Sequence, residues 1–118
     1  MVSQISERRI VGEPPLYEIP GWRELYGVTA GITGRGNGPG RGFDLGLWSE
    51  APVGEVMGRW RLFKSIIPGF DGWVLGHQVH QTRVQTHDSA RGWVTVEGMD
   101  GHLTGTDGIL LLVTVADC

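Results

Sequence analysis

One cysteine and four histidines are the residues of this chain best suited to bind a metal or act as nucleophile and base. Cys118 follows Asp117 at the end of an apolar run that starts at Ile109. A lone thiol leaves three roles open: a small buried hydrophobe, a thiolate ligand, or a nucleophile. It excludes an internal disulfide framework. At the carboxyl end of a predicted buried strand, it stands where open α/β sheets carry functional groups. His77 and His80 are three residues apart. On the strand predicted there they face opposite sides, and Gln78 shares a side with His80. His87 follows a predicted strand at 83–86 and is expected to be exposed. His102 falls in a predicted turn and is expected to be exposed as well. Thiolate and imidazole together suit zinc or copper. The separation of 38 positions between His80 and Cys118 matches no compact zinc motif, and two donors fall short of a catalytic zinc shell.

Arg35 and Arg41 lie in the Gly-rich segment 34–42. Such a loop can cradle an anion such as phosphate. It is not a P-loop, because no Gly-Lys-Ser or Gly-Lys-Thr follows. The competing reading is a plain surface loop.

The elements that must carry these residues follow from periodicity. Val28, Ala30 and Ile32 alternate with smaller or polar residues over 27–33, the pattern of a half-buried strand. Phe43, Leu45 and Leu47 alternate again and suggest a second short strand. Ser49 is a candidate helix cap, and Pro52 is tolerated in a first turn. Val53, Val56, Met57, Trp60, Phe63 and Ile67 recur at offsets of three and four, an amphipathic stripe that Pro68-Gly69 ends. Further strands are predicted at 73–79, 83–86, 93–97 and 109–115, the last too apolar to alternate. The fold class is therefore α/β, with mixed β-sheet layers flanked by helices in an α/β sandwich.

With 118 residues, the chain is one domain or part of one. Its 20 glycines and 6 prolines are nearly twice the average share of the two. An apolar content of 40% with 19% charged residues excludes a disordered chain. The net charge of −3, without a Lys/Arg block, argues against nucleic acid and against a polybasic membrane patch. The longest strongly apolar run, 109–113, is far too short to span a membrane. The N-terminus carries paired arginines without an apolar stretch after them, so no signal peptide is expected. A single thiol fits a reducing, cytoplasmic setting.

Several segments, in order, resemble the multicopper polyphenol oxidoreductase (laccase-domain) family, now viewed as purine nucleoside phosphorylases. Thr33-Gly34-Arg35-Gly36-Asn37-Gly38 looks like that family's T-x-R-x-G-G, and Phe43-Asp44-Leu45-Gly46-Leu47 is similar to F-N-L-G-L. Gln78-Val79-His80-Gln81-Thr82-Arg83-Val84 resembles Q-V-H-G-T-x-V. Met99-Asp100-Gly101-His102-Leu103-Thr104 resembles A-D-A-L-V-T. The segment from Ile109 to Cys118 is similar to a strand that ends in T-A-D-C. The pair Q-V-H and A-D-C, at this separation, is the specific part. The likeness runs from about residue 25 onward, which divides the chain into an N-terminal segment, 1–24, and the N-terminal half of a laccase-like domain, 25–118. On that likeness the chain reads as truncated.

The resemblance implies a zinc or copper site with His80 and Cys118 as ligands. It implies a third ligand, a histidine in an H-A-G-W-R-G segment beyond the cysteine, which this sequence does not contain. His102 is a weak substitute. The implied activities are phosphorolysis of adenosine, inosine and methylthioadenosine, with inorganic phosphate as co-substrate, and deamination of adenosine. A metal with an open position makes water nucleophilic at neutral pH, which suits attack on C6 of adenine. Arg35 is the candidate for binding phosphate. Asp44, where the family has Asn, adds negative charge on the same side. Gln78 would orient substrate and Asp117 would act as general acid/base. With two of three ligands, little or no activity is expected of this chain. The alternatives are a metal-free cysteine hydrolase using Cys118 and His80, or an inactive truncated protein that self-associates through the apolar face a cut would expose.

Overall fold

The computed structural model describes residues 6–38 and 42–115. The expectations for Arg41, Asp117 and Cys118 therefore lie outside the described residues. The chain divides into two compact units, Met1–Leu45 and Gly46–Cys118.

The first unit is a three-stranded antiparallel sheet in the order β1-β2-β3, from β1 (Arg8–Ile10), β2 (Leu16–Glu18) and β3 (Gly31–Thr33), with a short helix, α1 (Trp22–Tyr26), between β2 and β3. Gly31 in β3 sits where a Cβ would lie 2.5 Å from the Tyr17 carbonyl oxygen, so the strands approach this closely only without a side chain. The Glu18 carboxylate accepts from Arg8 at 3.3 Å and from Arg23 at 3.1 Å, tying β1 and α1 to β2. The alternation seen over 27–33 yields a strand only at its end, 31–33, where β2 is there to pair with it. At the Gly-rich segment, the Asn37 N–H donates to the Glu13 carboxylate. The Phe43 N–H donates to the Arg35 carbonyl at 2.8 Å.

The second unit opens with α2 (Val53–Ile66), followed by β4 (Gly72–His77), β5 (Val84–Thr86), β6 (Gly92–Glu97), β7 (Gly101–Leu103) and β8 (Ile109–Leu112). The strands β6-β4-β8 form a parallel sheet with β4 in the centre. β5 and β7 pair in parallel as a second, two-stranded sheet. β4 is buried from Gly72 to Gly76, as a central parallel strand covered on both faces must be. Val56, Trp60 and Phe63 of α2 are buried. The Trp60 ring meets Trp93 of β6 edge-on at 4.7 Å, and Phe63 meets Trp73 of β4 at 5.4 Å. Aromatic edge-to-face contacts thus seat the helix on the sheet.

The α/β class is observed, with parallel and antiparallel sheets and, among the described residues, two helices. Some local expectations are corrected. Val53, read as part of the buried stripe, is exposed. Ser49 does not cap α2, whose N-cap is Pro52; its hydroxyl bonds the Gly46 carbonyl and the Ala51 N–H instead. Phe43, Leu45 and Leu47 form no strand, because alternation makes a strand only where another edge pairs with it. β4 ends at His77, not at residue 79, and β8 ends at Leu112. Among the described residues, no helix is long and apolar enough to cross a membrane.

Candidate functional site

Parallel strands deliver their carboxyl ends to one edge, and in open α/β sheets ligands bind beyond that edge. Here the edge gathers the segments that leave β4, β6 and β8. Past β4, residues 79–81 form a tight turn with His80 at φ 59°. A left-handed backbone at a residue other than glycine carries a strain of order 1–3 kcal/mol and persists only where the surroundings impose it. Asp100, past β6, imposes it. Its Oδ1 accepts the N–H groups of Val79 at 2.8 Å and His80 at 2.9 Å, and its Oδ2 accepts that of Gln81 at 2.8 Å. Three successive N–H groups converging on one carboxylate make an anion nest filled by the protein's own charge. Desolvation pushes the Asp100 carboxyl up, but the N–H donors of Gln81, Val79 and His80, with the nearby His80 ring, outweigh it and hold the group below its ordinary value. Asp100 thus keeps its charge and fixes the backbone that presents His80, whose own side chain is exposed.

Gln78 is tied to the third strand exit. Its Oε1 accepts from the Thr114 N–H at 2.8 Å and the Thr114 hydroxyl at 2.9 Å. With the oxygen committed, the amide NH2 is the group left to meet a ligand. Beside the clamped turn lies an open cleft of about 440 Å³, lined by Val79, Gln81, Thr82, Arg83 and Gly98, within the size range of small-molecule sites.

Gln78 and His80 both lie just past β4, in the second unit. Arg35 and Asp44 belong to the first unit. Asp117 and Cys118 lie outside the described residues. Sequence reasoning passes over Asp100 as a functional group, because its partners are 19 to 21 positions away and no local pattern announces them. It also passes over Arg83.

His87 and His102 correct an expectation. His87 is buried, not exposed. His102 belongs to β7 rather than to a turn. Pairing of β5 with β7 brings the two rings together, with His87 Nε2 and His102 Nδ1 3.0 Å apart. His102 Nε2 is buried and has no partner among the described residues. Burial, then the neighbouring His87, lower the His102 pKa below 6.5. A ring closed in this way offers no open nitrogen as a third metal ligand, which removes His102 from that role.

Fold and site together define an α/β protein whose clamped, histidine-bearing turn stands at the carboxyl edge of a parallel sheet. Residues 26–118 match the family Multi-copper polyphenol oxidoreductase laccase, and the chain belongs to that family. Searches of curated proteins and of solved structures returned no match.

The family's name implies a metal. Among the described residues, no three His, Cys, Asp or Glu side chains gather where they could hold one. The described part of the site supplies one exposed imidazole, His80, in a backbone held rigid by Asp100. Such outer support is what orients a ligating histidine. With the Cys118 thiolate, the donor types fit zinc or copper.

Proposed function

We propose that this carboxyl edge is the active site of a metal-dependent purine nucleoside phosphorylase that also deaminates adenosine. The observation that carries the reading is the Asp100 clamp, a strained turn maintained to present His80. It is supported by family membership over residues 26–118. His80 and Cys118 would hold the metal, which when bound supplies Lewis-acid activation for deamination at C6. The Gln78 NH2 orients the nucleoside. Asp117 serves as general acid/base. Phosphate is taken up by a guanidinium: Arg35, with Asp44 nearby in sequence, is the candidate from the family motif, and Arg83 is the candidate from the cleft beside the turn. Holding phosphate against C1′ of the ribose turns a two-body encounter into a local displacement.

The test is base release from inosine and adenosine by the purified chain, with zinc supplied, with and without phosphate. Release is expected to be slow, because two donors are assigned where three are usual. It should require phosphate and should be lost in His80→Ala. Release that ignores phosphate, or survives chelation but not Cys118→Ser, would overturn the reading in favour of a cysteine hydrolase. Zinc that binds equally well to the wild type and to His80→Ala would overturn it outright.

A further inference from the structure

A second histidine stands at the same edge, and neither the family motif nor the roles above use it. His77 is the last residue of β4 and is in register with Glu97, the last residue of β6. Its Nδ1 lies 2.6 Å from Glu97 Oε1. A carboxylate only accepts, so Nδ1 carries the proton and Nε2 is the nitrogen left for chemistry. The Trp48 indole lies flat on the ring, with centroids 4.2 Å apart and planes within 10°. Carboxylate on one nitrogen and indole on one face fix both the tilt and the rotation of the imidazole. Its side chain remains 32% exposed, so it is held without being enclosed. No described residue is within hydrogen-bond reach of Nε2. A carboxylate that orients an imidazole so that its far nitrogen handles a proton is a recurrent catalytic arrangement.

We propose that His77 is the proton donor to the departing purine, with Glu97 and Trp48 as its positioning residues. The proposal rests on the phosphorylase reading. In that reaction a phosphate oxygen forms a bond to C1′ as the C1′–N9 bond breaks. The electron pair of the broken bond passes into the purine, and N7 takes the proton from His77 Nε2–H. The products are a neutral base and ribose 1-phosphate. His77 is left as neutral imidazole, protonated on Nδ1 against Glu97. It regains its Nε2 proton from the acidic hydroxyl of the phosphate ester or from water, which closes the cycle.

The experiment compares inosine with 7-methylinosine in the zinc-loaded chain under single-turnover conditions. The methylated purine departs neutral without accepting a proton. His77→Gln should slow inosine cleavage about 100-fold, in the usual range for a general acid, and leave 7-methylinosine within about threefold. Glu97→Gln should give the same selective pattern at about tenfold, as expected of a residue that acts through another. Equal losses on both substrates, or no loss on either, would overturn the role. A wild-type chain active on 7-methylinosine and equally active after His77→Gln on inosine sinks this proposal while sparing the phosphorylase reading. Where the wild type cleaves neither, the state of the imidazole itself decides. Nitrogen NMR of the imidazole gives a readout independent of turnover: neutral His77 should be protonated at Nδ1 in the wild type, and a ring protonated at Nε2 overturns the arrangement.

Discussion

Two histidine pairings within one unit turn the same side chain to opposite ends. At the carboxyl edge, His77 is held by a carboxylate and an indole and, among the described residues, keeps one nitrogen without a partner at a half-exposed position. Between β5 and β7, His102 is held by His87, and its remaining nitrogen is pressed against Gly76 and buried. The first ring is fixed but accessible; the second is part of the packing. What separates them is the partner and the access of water, not the residue type. An imidazole beside a carboxylate at a strand end can move protons, while one beside a second imidazole under a neighbouring strand cannot without a desolvation cost.

The packing side of this comparison breaks most easily at Gly76. A Cβ there would lie 2.5 Å from the Met99 carbonyl oxygen and 2.8 Å from His102 Nε2. Backbone cannot yield cheaply, and β4 is the central strand. Gly76→Ala is expected to destabilise the fold by about 3 kcal/mol, the upper part of the overpacking range, read as a lowered urea midpoint. An unchanged midpoint would show that the His102 ring is not packed against β4 as described.

The functional side breaks at Asp100. Asp100→Ala leaves three N–H groups without their acceptor and releases the strain at His80. Zinc affinity should fall about 10- to 100-fold, the usual effect of losing a group that orients a ligand. Asp100→Asn should lie between, because one amide oxygen can satisfy part of the turn while its NH2 faces donors. Calorimetric titration with zinc checks both; equal affinities in all three proteins would remove Asp100 from the site.

A smaller effect distinguishes the two pairings by pH. The folded His102 titrates below its unfolded value of 6.5 because of burial and, second, the facing His87. As pH falls through 6.5, the unfolded chain gains a proton that the folded chain refuses, so stability drops until the folded value is passed. The urea midpoint should therefore decline from pH 7.5 to 5.5. In His102→Gln, which still bonds His87, the decline should be shallower; an identical slope would refute the assignment. The expected change is smaller than either of the first two, since the ring is only part-buried.

These contrasts are legible in the sequence only in part. The stripe Val56, Trp60, Phe63 predicts α2 because helical spacing is a local property. β4 and β8 are legible because largely buried parallel strands are rich in apolar residues, and β6, GWVTVE and only half-buried, is legible as a β-prone run that starts at Gly92 and is followed by Gly98. β1, β2 and β7 are not, because three-residue strands of mixed polarity exist only through their partners. The likeness around Gln78 and His80 marks this segment, which the sequence reads as strand; the turn and its clamp stay hidden because Asp100 reaches it across 20 positions. On a single continuous strand His77 would face away from His80. The strand instead stops at His77, and the turn after it keeps both histidines at the same edge. Glu97 cannot be paired with His77 without the parallel register of β4 and β6.

The mildest change sharpens the comparison most. Trp48 lies at 45% exposure, so its replacement costs the core little, and Trp48→Leu should leave stability within about 0.5 kcal/mol. What it removes is the flat surface that keeps the His77 ring from rotating about its Glu97 bond. Inosine cleavage should slow by about threefold to fivefold, well short of His77→Gln, while 7-methylinosine is unaffected. If Trp48 were merely filling space, both substrates would respond alike. If it held the base of the nucleoside directly, KM would rise for both. A selective loss in kcat on inosine alone is the result that belongs to a ring held in place for a proton, and it is the result the His87–His102 pairing, lacking both carboxylate and exposed face, cannot produce.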